Sequence, residues 1–284
     1  MTGAVRWLGV TALLLAPWLG ALAREPALVA ERVEIAGPVQ LPGHWFAAAT
    51  PGSRPVVLAL HGCNGAYDSK GGLNELQRRY AALFHGLQMH VLVLDSFSPR
   101  GERSICEYPA TRRPVTLQDR RDDVAAALAW LAARPDVDAT RLVLLGWSNG
   151  AQTVLAALDA SDPAVQARTV HPRAAVAFYP GCTQSLRKAD YRLQSPLIML
   201  LGELDDWTPA KPCKELHRRL AGQLPLFELE SYPGSYHAFD SMNTLRVRGN
   251  VGSTRSGTAT VGANPAARDA SRERMLRFLD TALR

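Results

Sequence analysis

Four apolar residues in a row, Leu142-Val143-Leu144-Leu145, run straight into Gly146-Trp147-Ser148-Asn149-Gly150, and an alanine- and leucine-rich segment follows. An uninterrupted apolar run of this length reads as a strand buried on both faces. Runs of the same kind lie at residues 56–60, 91–94, 174–179 and 196–201, with a last strand at 226–230. Between them, residues 74–86, 117–133, 151–158, 211–221 and 264–283 read as helices. In the second of these Val124, Leu128 and Leu131 share a face. Asp119, Asp122 and Asp123 suit the positive end of its dipole, and Arg134-Pro135 stops it. Weaker strand signals at 32–36 and 45–49 come first, set off by Gly37-Pro38 and Thr50-Pro51-Gly52. Strands thus alternate with helices from residue 56 onward. That order predicts an α/β fold with a mostly parallel sheet covered on both faces. No repeat or linker divides it, so residues 24–284 read as one domain.

The first 23 residues follow a different pattern. Arg6 precedes an apolar stretch, residues 7–22, that is broken by Pro17 and ends in Ala21-Leu22-Ala23. One cation, a short apolar core and a small-x-small ending are the pattern of a secretory signal peptide cleaved after Ala23. The expected mature chain is periplasmic or secreted and keeps no stable membrane anchor.

Export changes what the four cysteines mean. Cys63, Cys106, Cys182 and Cys213 have neither metal-ligand spacing nor clustered histidines, so no metal is expected. In an oxidising compartment an even count implies disulfides, and four cysteines allow three pairings. The expected pairing is Cys63–Cys106, tying the loop after residue 94 to the turn after residue 60. Cys182–Cys213 would then join the ends of two consecutive strands, neighbours in a parallel sheet.

The 284 residues are 47% hydrophobic and 20% charged, enough for one large core, with a net charge of +6. The basic residues are scattered among acids as Arg-Arg pairs, without runs or interleaved aromatics, which argues against a nucleic-acid partner. A Rossmann glycine fingerprint and a P-loop are both absent, so no nucleotide cofactor is implied.

The chemistry centres on Gly146-x-Ser148-x-Gly150. A serine at the tip of a sharp strand-to-helix turn needs small residues two positions to either side, and the helix that follows favours negative charge at its start. A serine hydroxyl becomes a nucleophile when a base takes its proton and an acid orients that base. In this architecture acid and base follow the serine in that order. His237, in a Gly/Ser loop past the last strand, is the candidate base; His217 sits on a helix among Lys214, Arg218 and Arg219 and reads as solvated. Asp205 and Asp206 both follow the strand at 196–201 and are the candidate acids, Asp205 ahead of Asp206. The oxyanion donors are expected from the backbone N–H of Asn149 and, in the glycine-rich turn His61-Gly62-Cys63-Asn64-Gly65, the N–H of Cys63. His61 itself reads as structural.

On His61-Gly62-Cys63, Gly146-Trp147-Ser148-Asn149-Gly150, Gly202-Glu203-Leu204-Asp205 with Pro209, and Tyr236-His237-Ala238-Phe239, the chain resembles the α/β-hydrolase superfamily over residues 30–284. Within it the chain is most similar to the dienelactone hydrolase family. The resemblance implies an eight-stranded, mostly parallel sheet with helices on both faces, no large lid domain, and a cofactor-free triad. Dienelactone hydrolases carry cysteine as nucleophile where this chain has Ser148, so the resemblance implies the fold and the triad rather than dienelactone as substrate.

The expected activity is hydrolysis of a small ester or lactone through an acyl-enzyme. Polyester depolymerases, feruloyl-esterase-like enzymes and prolyl-oligopeptidase-type peptidases are the enzymatic alternatives, and a silent binding protein is the alternative outside catalysis. The oligomeric state is not legible. Two further expectations concern the rim. Residues 243–263 hold Arg246, Arg248 and Arg255 and no acid, so they should border the site and favour anionic substrates. The segment with Gly181, Arg187, Lys188 and Asp190 is too short and polar for an apolar lid.

Overall fold

A computed structural model describes residues 28–284; the expected leader, residues 1–23, lies outside them. Its organisation follows from the alternation inside β3 (Arg54–Leu60). Val56, Leu58 and Leu60 pack into the core on one face of the sheet, Val57 and Ala59 into the core on the other. Burying each Val or Leu side chain contributes about 1.5–3 kcal/mol, so a strand apolar on both faces is stable where both are covered.

The parallel strands β4 (His90–Leu94), β5 (Val137–Trp147) over its apolar run, β6 (Ala174–Phe178) and β7 (Leu197–Gly202) repeat this logic, while β8 (Phe227–Tyr232), at the sheet's edge, carries Glu228 and Glu230 and is mostly half-buried. Antiparallel β1 (Glu31–Ile35) and β2 (Leu41–Phe46) complete an eight-stranded sheet in the order β1-β2-β4-β3-β5-β6-β7-β8. The helices α2 (Leu117–Ala132), α3 (Asn149–Ala157) and α6 (Ala210–Arg219) cover one face. The helices α1 (Glu75–Gly86) and α7 (Pro265–Ala282) cover the other. Their starts are written locally. Asn74 and Asn264 cap α1 and α7, and Thr116 and Asp119 form a reciprocal capping box on α2. Two short helices, α4 (Pro163–Gln166) and α5 (Thr183–Arg187), lie in connections.

After β3 the chain steps to β4 on one side and then to β5 on the other. The carboxyl ends of β3 and β5 therefore flank the point where the direction of winding reverses, the place where open α/β sheets bind ligands. Register keeps these ends level, with Leu60 beside Gly146, Trp147 beside Phe178 and Gly202 beside Tyr232.

Three local features differ from the expectations. The second strand starts at Leu41, running through Pro42 and Gly43, which punctuate a sequence but fit an edge-side pairing here. A Cβ on Gly43 would lie 2.8 Å from Leu92 Cδ1, so glycine permits the close approach to β4. The strand β5 begins five residues before its apolar run, with Val137 beside Arg54. Residues 243–263 are not plain loop: β9 (Arg246–Arg248) and β10 (Ala259–Val261) pair antiparallel within them.

Cys63 is bonded to Cys106 and Cys182 to Cys213, at sequence separations of 43 and 31. In the chain-entropy picture each crosslink of this loop size contributes about 4 kcal/mol. Replacing Cys182 and Cys213 together by serine is expected to lower the melting temperature by roughly 10 °C. Peptide mapping without reduction checks the pairing, and a linked Cys63–Cys182 peptide would overturn it.

Candidate active site

The turn after β5 is forced by packing. Ser148 adopts φ 53° and ψ −113°, a positive-φ conformation that costs a non-glycine residue energy. A Cβ on Gly146 would lie 2.3 Å from the Gly150 carbonyl oxygen, and one on Gly150 would lie 2.0 Å from that of Leu60. Both glycines are therefore steric requirements. The Ser148 N–H donates to the Phe178 carbonyl at 3.0 Å, and α3 starts at the next residue with its positive end toward the hydroxyl.

The expected side chains converge on this serine. The Ser148 hydroxyl is 3.0 Å from His237 Nε2, and His237 Nδ1 is 2.8 Å from Asp205 Oδ2. With Nδ1 donating to the carboxylate, Nε2 is left as the acceptor for the hydroxyl. Asp205 Oδ1 accepts the backbone N–H groups of Trp207 (2.9 Å) and Thr208 (2.8 Å). Burial raises the Asp205 carboxyl, but the His237 charge and the hydrogen bonds of His237 and Thr208 outweigh it and hold it below the ordinary value. Asp206 plays another part, accepting from Thr260 N (2.8 Å) and Oγ1 (2.9 Å) and so pinning β10. His217 corrects the expectation of a solvated ring. It is half-buried against Phe227, its Nε2 3.1 Å from the Phe227 carbonyl oxygen.

The turn after β3 lies directly across from the serine. A Cβ on Gly62 would sit 3.7 Å from Ser148 Cβ, and Cys63 lines the same cleft as Ser148 and His237. The Cys63 N–H makes no hydrogen bond among the described residues, and Asn149, first residue of α3, has no intrahelical partner for its own. Two backbone donors close to Ser148 are thus left unengaged among the described residues.

Sequence reading missed what holds them. Arg120, buried in α2, donates to Asn149 Oδ1 (2.6 Å) and to the His61 carbonyl (2.9 Å), gripping both walls of the donor pair. Burial pulls its guanidinium down to about 9, against the pull of Asp123 and Asp95, so it remains a cation at neutral pH. His61 is fully buried. Burial, then the Arg120 charge, lower it to about 3, and it spans Gly62 O and Ser96 N as a neutral ring. The signal for Arg120 was an arginine on the apolar side of α2, where a solvated residue does not belong.

A second hub was also missed. Asp240 is fully buried and accepts from Tyr179 (2.8 Å), Tyr80 (2.9 Å) and Trp147 Nε1 (3.1 Å), with burial raising its carboxyl. It joins the residue before Ser148 to Tyr179, whose ring centroid is 4.6 Å from that of His237. Trp207 covers His237 from another side, centroids 4.7 Å apart, and Arg248 stacks over Trp207 at 5.3 Å. The segment 243–263 therefore does border the site: Arg246 and Arg248 line the cleft of about 610 Å³ that holds Ser148 and His237, whereas Arg255 does not.

Residues 106–283 match the model of the dienelactone hydrolase family. Two uncharacterized proteins, from two strains of Mycobacterium tuberculosis, are each 26% identical over 190 residues, covering 63% of this chain and 62% of theirs. The chain thus spans less than two thirds of these curated relatives. Among solved structures, a dienelactone hydrolase-like promiscuous phosphotriesterase from metagenomic libraries is similar with a TM-score of 0.62 and 20% identity, over 90% of this chain and 99% of that one. The esterase 2 of Thermogutta terrifontis reaches a TM-score of 0.61 at 18% identity, over 89% and 92% of the two chains. At such identities the likeness carries the fold alone. The family match is of another kind, for it spans more than half of the residues and includes Ser148, Asp205 and His237. The chain belongs to the dienelactone hydrolase family.

Proposed function

We propose that the chain is a serine hydrolase of a small carboxylic ester or lactone, working without a cofactor as one catalytic domain, residues 24–284. The proposed location is periplasmic or secreted, after cleavage behind Ala23. The observation that carries the reading is the unbroken series from Ser148 through His237 to Asp205, at 3.0 and 2.8 Å, beside two unengaged N–H groups. His237 Nε2 takes the hydroxyl proton as Ser148 Oγ attacks the carbonyl carbon. The N–H groups of Cys63 and Asn149 hold the oxyanion, and each such donor is worth roughly 3–4 kcal/mol of barrier. His237 then protonates the leaving alkoxide. Water, activated by the same ring, releases the acid and restores the serine.

A structure of the Thermogutta esterase shows it phosphorylated by paraoxon, and Ser148 is expected to behave likewise toward phosphorylating probes. A fluorophosphonate should label the mature chain at the Ser148 peptide. Labelling elsewhere, or none, would sink the mechanism.

The connection between β6 and β7 carries the five-residue α5, held down by the Cys182–Cys213 bond, in place of an apolar lid. Turnover of soluble esters should therefore fall as the acyl chain lengthens, with no jump at the solubility limit. A rate that rises sharply once a long-chain ester forms droplets would contradict this.

A further inference from the structure

Ser148 and Trp207 line not one cleft but two, which meet at the serine. The first, of about 610 Å³, contains His237 and Cys63. The second, of about 760 Å³, opens on the Asn149 side and includes Gln152 and Gly181; His237 does not line it. The chemistry assigns the two sides. The protonated ring must hand its proton to the leaving oxygen, so the alcohol part of an ester belongs in the cleft that His237 lines. The acyl part then extends into the other.

The lining of that second cleft is unusual in its charge. It includes Arg113 and Arg187 and no aspartate or glutamate. Two arginines nearby are paired, Arg100 with Asp123 and Arg121 with Asp122 and Asp162, whereas the exposed Arg112 is not. Arg113 and Arg187 make no salt bridge among the described residues. Arg113 is half-buried, and its Nε is enclosed without a partner. Burial lowers its guanidinium with no carboxylate acting the other way. Desolvating a cation without an anion costs free energy, which a bound carboxylate would offset through a charge-assisted bidentate contact. Its position is also fixed. It lies three residues before the Thr116 cap of α2, in the loop that the Cys63–Cys106 bond ties to the turn after β3.

We infer that the second cleft is an acyl-side carboxylate subsite, and that the substrates are half-esters of dicarboxylic acids whose free carboxylate is held by Arg113 and Arg187. The inference rests on the serine-hydrolase reading above. Ser148 Oγ bonds to the esterified carbonyl carbon, the ester C–O bond breaks, and the alcohol leaves with the proton from His237. Water then replaces Oγ, the serine regains its proton, and the dicarboxylate departs.

The test compares monophenyl glutarate, phenyl pentanoate, 3-acetoxybenzoate and phenyl acetate as substrates of the mature chain. Monophenyl glutarate should exceed its neutral counterpart phenyl pentanoate at least tenfold in kcat/KM at low ionic strength, chiefly through KM, with the gain shrinking in salt. The double variant Arg113→Gln/Arg187→Gln should erase that ratio. Arg112→Gln, which removes the same charge from an exposed neighbour outside the cleft, should keep it. Independently of turnover, glutarate should bind Ser148→Ala by calorimetry and lose at least fivefold in affinity when Arg113→Gln is added.

Equal rates for the two phenyl esters, a gain confined to 3-acetoxybenzoate, or glutarate binding indifferent to Arg113 would each overturn the subsite. Absence of Ser148-dependent turnover of phenyl acetate would instead overturn the hydrolase reading, leaving the glutarate measurement to decide on the cleft.

Discussion

Ser148→Ala is expected to lower ester turnover by about six orders of magnitude while the protein stays folded. The size follows from the mechanism. Without Oγ no acyl-enzyme forms, and His237 and the donor pair are left to assist a direct attack by water, worth roughly 10³–10⁴ over the uncatalysed rate. The fold should survive because alanine keeps the Cβ already accommodated at φ 53° and removes one buried hydroxyl together with its contact to His237. Strain stored at such a residue is supported by its surroundings, so the melting temperature should match or slightly exceed that of the parent. Phenyl acetate turnover, fluorophosphonate labelling and thermal unfolding of the variant read all three points. Parental activity in Ser148→Ala would place the nucleophile elsewhere in the chain.

Most of what places Ser148 was legible because it is local. The apolar run of β5, the paired glycines and the following helix are consecutive, and each obeys a short-range steric rule. The same holds for His61-Gly62-Cys63 behind β3 and for Asn264-Pro265 at the start of α7. What escaped notice is non-local. Arg120 sits on the apolar side of α2, but nothing local says what it grips: packing places it between the His61 carbonyl and Asn149, 59 and 29 residues away in sequence. Asp240 likewise depends on Tyr80, 160 residues earlier, to satisfy a buried carboxylate. No periodicity encodes such partners. The strand β2 was misplaced for the opposite reason: Pro42 and Gly43 carry a strong local turn signal, and pairing with β1 and β4 overrides it.

Asp205 and Asp206 are adjacent in sequence, and their substitution by asparagine should separate them by several orders of magnitude. Asp205→Asn should lower kcat by about 10⁴. The geometry gives the reason. Oδ1 accepts two backbone N–H groups, from Trp207 and Thr208, so an asparagine at this position must keep its oxygen there. Its amide NH₂ then faces His237 Nδ1, which has to accept rather than donate. The ring proton moves to Nε2, and the ring can no longer take the proton of Ser148.

Asp206→Asn should instead leave kcat within a few fold. It weakens the hold on Thr260, so its effect should fall on KM and on proteolysis within residues 243–263. The stability profile separates the pair again. The folded-state pKa of Asp205 lies below its unfolded value of about 4. The parent therefore holds that carboxylate's contribution in full above about pH 4 and loses it as pH falls through the lower folded value. That acid-side decline should be shallower in Asp205→Asn, where no carboxylate titrates. Melting temperatures from pH 7 down to 3 measure it. Should Asp206→Asn rather than Asp205→Asn show the collapse in kcat, the acid would have to be reassigned.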